Sequence, residues 1–600
     1  MPPQPADSFY RTEIRDNMRI TWHQPITVDD GLTLRADVYR PVDDNAKCPV
    51  ILTYGVYGKG VAYQQGYPLQ WEKMVTDHPG ILEISSNKYQ NWETTDPEWW
   101  VPHGYAIVRV DSRGAGWSPG FMDPASHRET LDLYQCIEWA GTQPWSNGKV
   151  GMLGISYYSS NQWRVAAMAP PPPHLAAIIP WEGQNDRYRD SGYHGGILCE
   201  FQKVWAKHQV VHVQYGRGEH SAKNPNTGEP IAGPVTLSEE ELAKNRVDAF
   251  EELKKHPFYD DWHKARTADL SKIKTPLLTC ANWGGQGIHP RGNFNGFTET
   301  PADTPKWLEA HGDSHWSQFS TPYGLDLQKR FFDCFLKGEK SGWEKQPRVQ
   351  LNIRHPGEKF VRRTENEWPL ARTQWTKFYL DASNQSLNAT PVAQAGQITY
   401  DALGKGLTFT LPPLDKDTEI TGPMMARLFV SSATSDTDLF LIVRVFDPQG
   451  KELTFMGSTD PNTPIANGWL RASHRALDPA KTKPYRPYHP HDKAEPLTPG
   501  QVYECDVEIV TSCIVVPAGW RIALTVKGCD YEYEGEIAEF AKKFHYGTRG
   551  TGGMTHADPD SRPASVYGGQ VTLHTGGVNG AYLLLPIVPA KGWHASGVSS

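Results

Sequence analysis

Short, continuous apolar runs separated by helical or turn-rich stretches dominate the first part of the chain. They fall at residues 49–52, 105–110, 150–153, 176–179, 276–279 and 306–310. Runs of this length alternating with helix predict a parallel sheet covered on both faces. Upstream, residues 26–28 and 32–39 flank Asp29-Asp30-Gly31, a turn signal that predicts a β-hairpin within 18–40. Residues 130–142 carry the helical period expected ahead of the run at 150–153. From 186 to 268 no sheet-core run occurs, but Ser238 with Glu241 three positions on matches a capping box, and the region reads as an inserted helical cap.

Beyond about residue 346 the pattern changes. Helical periodicity fades and strand-like runs recur between turns at 349–353, 428–430, 439–445, 504–509, 522–526 and 581–585. That texture predicts an all-β sandwich. The expected architecture is therefore an α/β domain in two parts, 1–185 and 269–345, interrupted by a helical cap at 186–268 and followed by a β-sandwich at 346–600.

Six hundred residues is too long for a single core, and 38% hydrophobic with 21% charged residues is ordinary for a globular chain. No apolar stretch approaches the ~20 residues that would span a bilayer, and no membrane partner is expected. The segment Met1-Pro2-Pro3-Gln4-Pro5-Ala6-Asp7 has no basic run leading into an apolar one and does not read as a secretory signal. A net charge of −8 without a basic block argues against nucleic-acid binding through phosphates. The eight cysteines show no C-x-x-C spacing and no histidine in metal-ligand register. Cys280 and Cys334 lie in apolar runs and read as buried reduced thiols, which favours the cytoplasm. No metal or organic cofactor is implied, and assembly into a homo-oligomer is left open.

Candidate chemistry centres on Gly154-Ile155-Ser156-Tyr157, a lone serine where the run at 150–153 turns into a helix that stops at Pro170. Such an elbow lifts the hydroxyl clear of the sheet edge and aims the first amides of the helix at any oxyanion beside it. The pattern is incomplete, because Tyr158 stands where G-x-S-x-G has its second glycine. A serine hydroxyl needs a base, and the last sheet run is followed by His311 and His315. His311 continues the strand and reads as packed; His315, in the polar loop beyond, is the candidate base.

These segments resemble the cocaine-esterase, α-amino-acid ester hydrolase and X-prolyl dipeptidyl peptidase group of serine hydrolases, often labelled CocE/NonD. The likeness is carried by the elbow and by residues 53–59, 111–120, 143–152 and 180–183. It continues through 331–333, 336–338, 468–471, 517–519 and 574–577. The resemblance implies an α/β-hydrolase domain, a helical cap and a C-terminal jelly roll. It implies Ser156 as nucleophile, His315 as general base, and an oxyanion hole made by the Tyr57 phenol and the Tyr157 backbone N–H. Asp111 and Arg113 read as a structural pair beyond their strand.

Two departures stand out. Ser159 replaces a family glycine, and Gly285 occupies the position where the family has the triad aspartate. Glu182, emerging at the end of the neighbouring strand, is the leading substitute, with Asp186 and Asp313 behind it. The expected function is a serine hydrolase cleaving a small-molecule ester or amide through an acyl-enzyme. The alternatives are an acyltransferase using the same intermediate, or a weakly active or non-catalytic ligand-binding relative.

Overall fold

The computed structural model describes residues 3–543 and 549–590, and its chain divides into two compact units. The first comprises Met1–Gln350 with Met456–Asn462 and Glu532–Ser561; the second comprises Leu351–Phe455, Thr463–Tyr531 and Arg562–Ser600.

In the first unit the strands are β1 (Arg11–Arg15), β2 (Met18–Thr27), β3 (Thr33–Pro41), β4 (Cys48–Gly55), β5 (Ala106–Asp111), β6 (Ser146–Ile155), β7 (Leu175–Trp181), β8 (Leu277–Asn282) and β9 (Lys306–His311). Within this unit the sheet runs β1-β2-β3-β5-β4-β6-β7-β8-β9. The hairpin predicted around Gly31 is β2–β3, paired antiparallel from Met18↔Pro41 to Thr27↔Thr33. From β5 through β9 neighbouring strands are parallel, so the sheet is mixed.

Alternation along each parallel strand splits the apolar side chains between two faces, as the period of two requires. Val50, Leu52, Val108 and Met152 join one core with Leu133 and Ile137 of helix α1 (His127–Gly141) and Trp163 of α2 (Tyr157–Ala166). Ile51, Ile107, Leu153 and Ile179 join the other with Phe331 and Phe332. Because both faces are covered, truncating one such side chain costs about 2–5 kcal/mol.

Between β7 and β8 the chain forms short helices and a two-stranded ribbon, Tyr193–His194 with Ile197–Leu198. The helix Glu239–Lys244 carries the predicted capping box of Ser238 and Glu241.

The second unit is built on an antiparallel-dominated sheet. Its longest strands, Thr418–Ser432 and Tyr503–Val516, pair along most of their length. Tyr582–Val588 pairs with both Gln374–Asp381 and Thr418–Ser432, which closes the sheet into a barrel-like sandwich around Leu428, Leu441, Val507 and Leu524. The excursions 456–462 and 532–561, which the sequence reading assigns to the C-terminal sandwich, pack with the first unit instead. Their anchors are long-range: Ser458 N–H donates to Gly284 O at 3.1 Å, and Glu200 N–H to Thr555 O at 2.8 Å.

One expected pair is corrected. Arg113 does not pair with Asp111 but with Asp132 (2.8 and 3.0 Å) and Asp30 (2.8 Å). Asp111 instead accepts backbone N–H bonds from Lys59 (2.6 Å) and Trp117 (2.8 Å), closing the loop beyond β5.

Candidate active site

The loops at the C-terminal ends of β6, β7, β8 and β9 converge, where open α/β sheets gather their functional groups. Ser156 follows β6 directly, with φ 58° and ψ −110°. Glu182 follows β7 at φ 47°, and Glu93, on the long connection between β4 and β5, has φ 61°. Non-glycine residues in this region cost about 1–3 kcal/mol each and persist only where the surroundings hold them. Backbone bonds do so here: Ile155 N–H donates to Glu93 O (3.0 Å), Ser156 N–H to Glu182 O (3.0 Å), and Glu182 N–H to Cys280 O (2.7 Å).

The small residues around the elbow are required by contact. A Cβ on Gly154 would lie 2.4 Å from the Tyr158 Cβ. The Ser159 side chain is accommodated by Gly183, where a Cβ would clash with the Ser159 hydroxyl.

Glu182 and His315 come together. Glu182 Oε2 lies 2.7 Å from His315 Nδ1, and Oε1 lies 2.8 Å from His311 Nε2 and accepts from Asn282 Nδ2 at 3.2 Å. His311 Nδ1 is 2.7 Å from Glu309. Asp186 is taken by Arg189 (2.7 Å) and Asp313 by His78 (2.5 Å), so neither reaches His315.

Ser156 and His315 line the same cavity, yet the imidazole touching the serine is another one. Ser156 Oγ lies 3.1 Å from His289 Nε2, while His315 Nε2 lies 2.8 Å from Glu93 Oε1. The His289 and His315 rings stack with centroids 4.8 Å apart and planes at 9°. His289 Nδ1 is buried and has no hydrogen-bond partner among the described residues.

Charge within this cluster is strongly polarised. Burial alone would raise the Glu182 carboxyl, but His315 and His311 overcome it and hold it at about 2. Burial alone would lower His315, but Glu182 and Glu93 lift it to about 10. Glu93 is raised to about 7 by burial, against the pull of His315. Burial, with His315 beside it, pushes His289 well below the ordinary histidine range.

Sequence reasoning missed His289 and Glu93. His289 belongs to the loop after β8 where the family acid was sought, just before Pro290 opens helix α3 (Pro290–Glu299). Among 22 histidines no spacing singles it out. Glu93 lies in Asn91-Trp92-Glu93-Thr94, without a strand or periodic pattern.

Two cavities meet at Ser156. One, about 490 Å³, is walled by Trp92, Glu93, Phe201, His315, Trp316 and Met554. The other, about 400 Å³, is walled by Tyr57, Tyr157, Arg164, Gln184, Arg187 and Trp205. The Tyr57 hydroxyl oxygen accepts from Trp205 Nε1 at 3.0 Å. Tyr157 opens helix α2, so its N–H is among the first-turn amides with no intrahelical acceptor. The Tyr157 phenol donates to Glu129 and accepts from Ala125 N–H at 2.8 Å.

Two clusters have ligand atoms within 4.8 Å of one another, the spacing a metal ion would need: Glu182–His289–His315 and His194–Cys199–His556. In the second, the fold brings His556 from a distant excursion beside His194 and Cys199, a proximity that spacing along the chain does not show. Hydrogen bonds already engage these groups: His194 Nδ1 lies 2.8 Å from His556 Nε2, and His194 Nε2 lies 2.7 Å from Gly287 O. No helix among the described residues is long and apolar enough to cross a membrane.

Comparison with known proteins accords with this geometry. Residues 30–316 match the X-Pro dipeptidyl-peptidase (S15 family) model, and residues 341–539 match the X-Pro dipeptidyl-peptidase C-terminal non-catalytic domain. Cocaine esterase from Rhodococcus sp. (strain MB1 Bresler) is 23% identical over 593 residues, spanning 86% of this chain and 92% of the esterase. A putative Xaa-Pro dipeptidyl-peptidase from Bacillus anthracis is 22% identical over 551 residues, spanning 83% of this chain and 80% of the peptidase. The crystal structure of a CocE/NonD family hydrolase from Staphylococcus aureus superposes with a TM-score of 0.82 at 32% identity, covering 97% of this chain and 96% of that one. Identity at that level along nearly the whole of both chains makes this protein a member of the CocE/NonD family of hydrolases.

Proposed function

We propose that the protein is a serine hydrolase that cleaves a small-molecule ester or amide through an acyl-enzyme on Ser156. The observation that carries this reading is Ser156 at a strained strand-to-helix elbow, in one cavity with an imidazole whose Nδ1 is held 2.7 Å from a buried carboxylate. In the first step the Ser156 Oγ–carbon bond forms, and His315 takes the hydroxyl proton and passes it to the departing alcohol or amine. Glu182 orients His315 and stabilises its cation, the part the family aspartate plays elsewhere. Water, deprotonated by His315, then attacks the acyl carbon and releases the acid and a free Ser156. The Tyr57 phenol and the Tyr157 N–H face the developing oxyanion.

Of the two imidazoles in the Ser156 cavity, His315 is preferred as base because it, unlike His289, has a carboxylate on Nδ1. His315 Nε2 faces Glu93 at 2.8 Å, so taking the Ser156 proton requires that contact to open. A second reading makes His289 the direct acceptor, favoured by its 3.1 Å contact with Ser156. An acyltransferase would differ only in the group attacking the acyl-enzyme, and no separate observation favours it or the non-catalytic reading.

On the same reading, residues 1–185 and 269–345 form an α/β-hydrolase domain, 186–268 its helical cap, and 346–600, apart from the excursions 456–462 and 532–561, a jelly roll. Residues 544–548 and 591–600 of that range lie outside the described ones. Buried thiols such as Cys280 support a cytoplasmic setting. A fluorophosphonate probe tests the function: stoichiometric labelling, lost in Ser156→Ala together with p-nitrophenyl ester hydrolysis, is expected. An unlabelled wild type that leaves such esters intact contradicts it.

A further inference from the structure

The cavity on the Tyr57 side of Ser156 contains positive charge without a counterion. Arg164 and Arg187 are 9% and 5% exposed. Arg164 lies on α2, the helix that Ser156 caps, and Arg187 follows Glu182 in the loop beyond β7, so both grow from elements that carry the reacting groups. Arg164 has no hydrogen bond to any described residue, and its Nε is fully buried without a partner. Arg187 donates only to neutral oxygens, Pro124 O at 3.1 Å and Gln202 Oε1 at 2.9 Å. Neither forms an ion pair among the described residues.

The neighbouring charges do not remove the excess. Arg266 is neutralised by Asp123, at 2.9 and 3.1 Å. Glu129, whose charge acts on Arg164, is engaged by the Tyr157 phenol, and burial raises it to about 7, so it offers only part of a negative charge. Burial and the adjacent Arg266 together press Arg187 down to about 10, still cationic at neutral pH. Buried charges in proteins are ordinarily paired, because isolation from water is costly. Two guanidinium groups lining one cavity with the nucleophile have the arrangement of an anion site.

We infer that the Arg164–Arg187 cavity is an anion subsite, and that the substrate is an ester or amide carrying a carboxylate on the side of the scissile bond that enters it. The inference rests on the serine-hydrolase reading and adds the substrate class. A carboxylate offsets part of the excess positive charge, and its planar oxygens match a guanidinium fork. The adjoining cavity, walled by Trp92, Phe201 and Trp316, then takes the uncharged half of the substrate.

Two matched pairs of esters test this. The mono-p-nitrophenyl ester of glutaric acid against p-nitrophenyl valerate places the carboxylate in the acyl part; meta-acetoxybenzoate against phenyl acetate places it in the leaving group. In one pair the carboxylate ester is expected to have a kcat/KM about 10- to 100-fold above its neutral match, the range for hydrogen bonds to a charged group. Arg164→Gln and Arg187→Gln should each erase most of that ratio. Fluorophosphonate labelling of Ser156 reports whether each variant still assembles the site. Neutral esters equalling the charged ones in both pairs, or a preference that survives in both labelled variants, overturns the inference and leaves the hydrolase reading standing. Wild-type protein with no turnover and no labelling overturns both.

Discussion

On the His315 side of Ser156 the buried charges are matched: Glu182 bridges His315 and His311, Glu93 meets His315, and Glu309 meets His311. On the other side, Arg164 and Arg187 are as deeply buried and meet no carboxylate. Matched charges hold a fixed geometry, because removing any one strands its partner away from water. Unmatched charges hold nothing in place and gain only when a ligand arrives. On the proposed reading, the matched groups do the chemistry and the unmatched ones select what enters.

The largest expected effect comes from breaking the matched side. Glu182→Gln removes the negative charge shared by two imidazolium groups and turns one of their two acceptor oxygens into a donor. Steady-state kinetics should register a kcat loss of about 10³- to 10⁴-fold, from loss of the correct tautomer and of the charge stabilising it. Chemical denaturation should register a loss of about 3–5 kcal/mol from the stranded cations. Full activity in this variant would remove Glu182 from the mechanism.

The same experiment on the unmatched side should have the opposite sign. Arg164→Met deletes a charge with no partner, and denaturation should show stability unchanged or raised by about 1–2 kcal/mol. A loss as large as that of Glu182→Gln would mean that Arg164 is paired after all and that the contrast is false.

A smaller effect sharpens the choice of base. Glu93 helps hold His315 at about 10. With His315 as base, the acid limb of the wild-type kcat/KM profile lies on the alkaline side of pH 7. Glu93→Gln should move it toward lower pH by about one unit, since a charge that favours the cation is gone. If His289 is the acceptor, the limb lies below 6.5 in both proteins, because burial and His315 depress that imidazole. The cluster also has a stability window. Glu182, held at about 2 against 4.5, contributes stability that is present above 4.5 and lost as pH falls through about 2. His315, held at about 10 against 6.5, contributes stability that is complete below 6.5 and lost as pH rises through about 10.

What the sequence revealed follows the range of the contacts involved. The Ser156 elbow is local, made by one apolar run, one glycine and the helix beyond, and could be read directly. Glu182 required one further step, that adjacent parallel strands end at the same edge, and its contact with His315 follows from that register. Glu93 and His289 could not be found this way, since long irregular connections carry them into the site. Ser458 and Thr555 reach the first unit from the C-terminal part through backbone bonds that side-chain patterns do not encode. The Arg113 pairing went wrong for a related reason: proximity in sequence suggested Asp111, whereas Asp132, one helix away, is the residue the fold presents.

The most direct measurement is the covalent intermediate itself. Wild-type protein mixed rapidly with a p-nitrophenyl ester, quenched in acid and digested should yield the Ser156 peptide heavier by the acyl group, and Ser156→Ala should yield none. Steady ester turnover with that peptide unmodified at every quench time, or with the acyl group on another residue, would contradict the account.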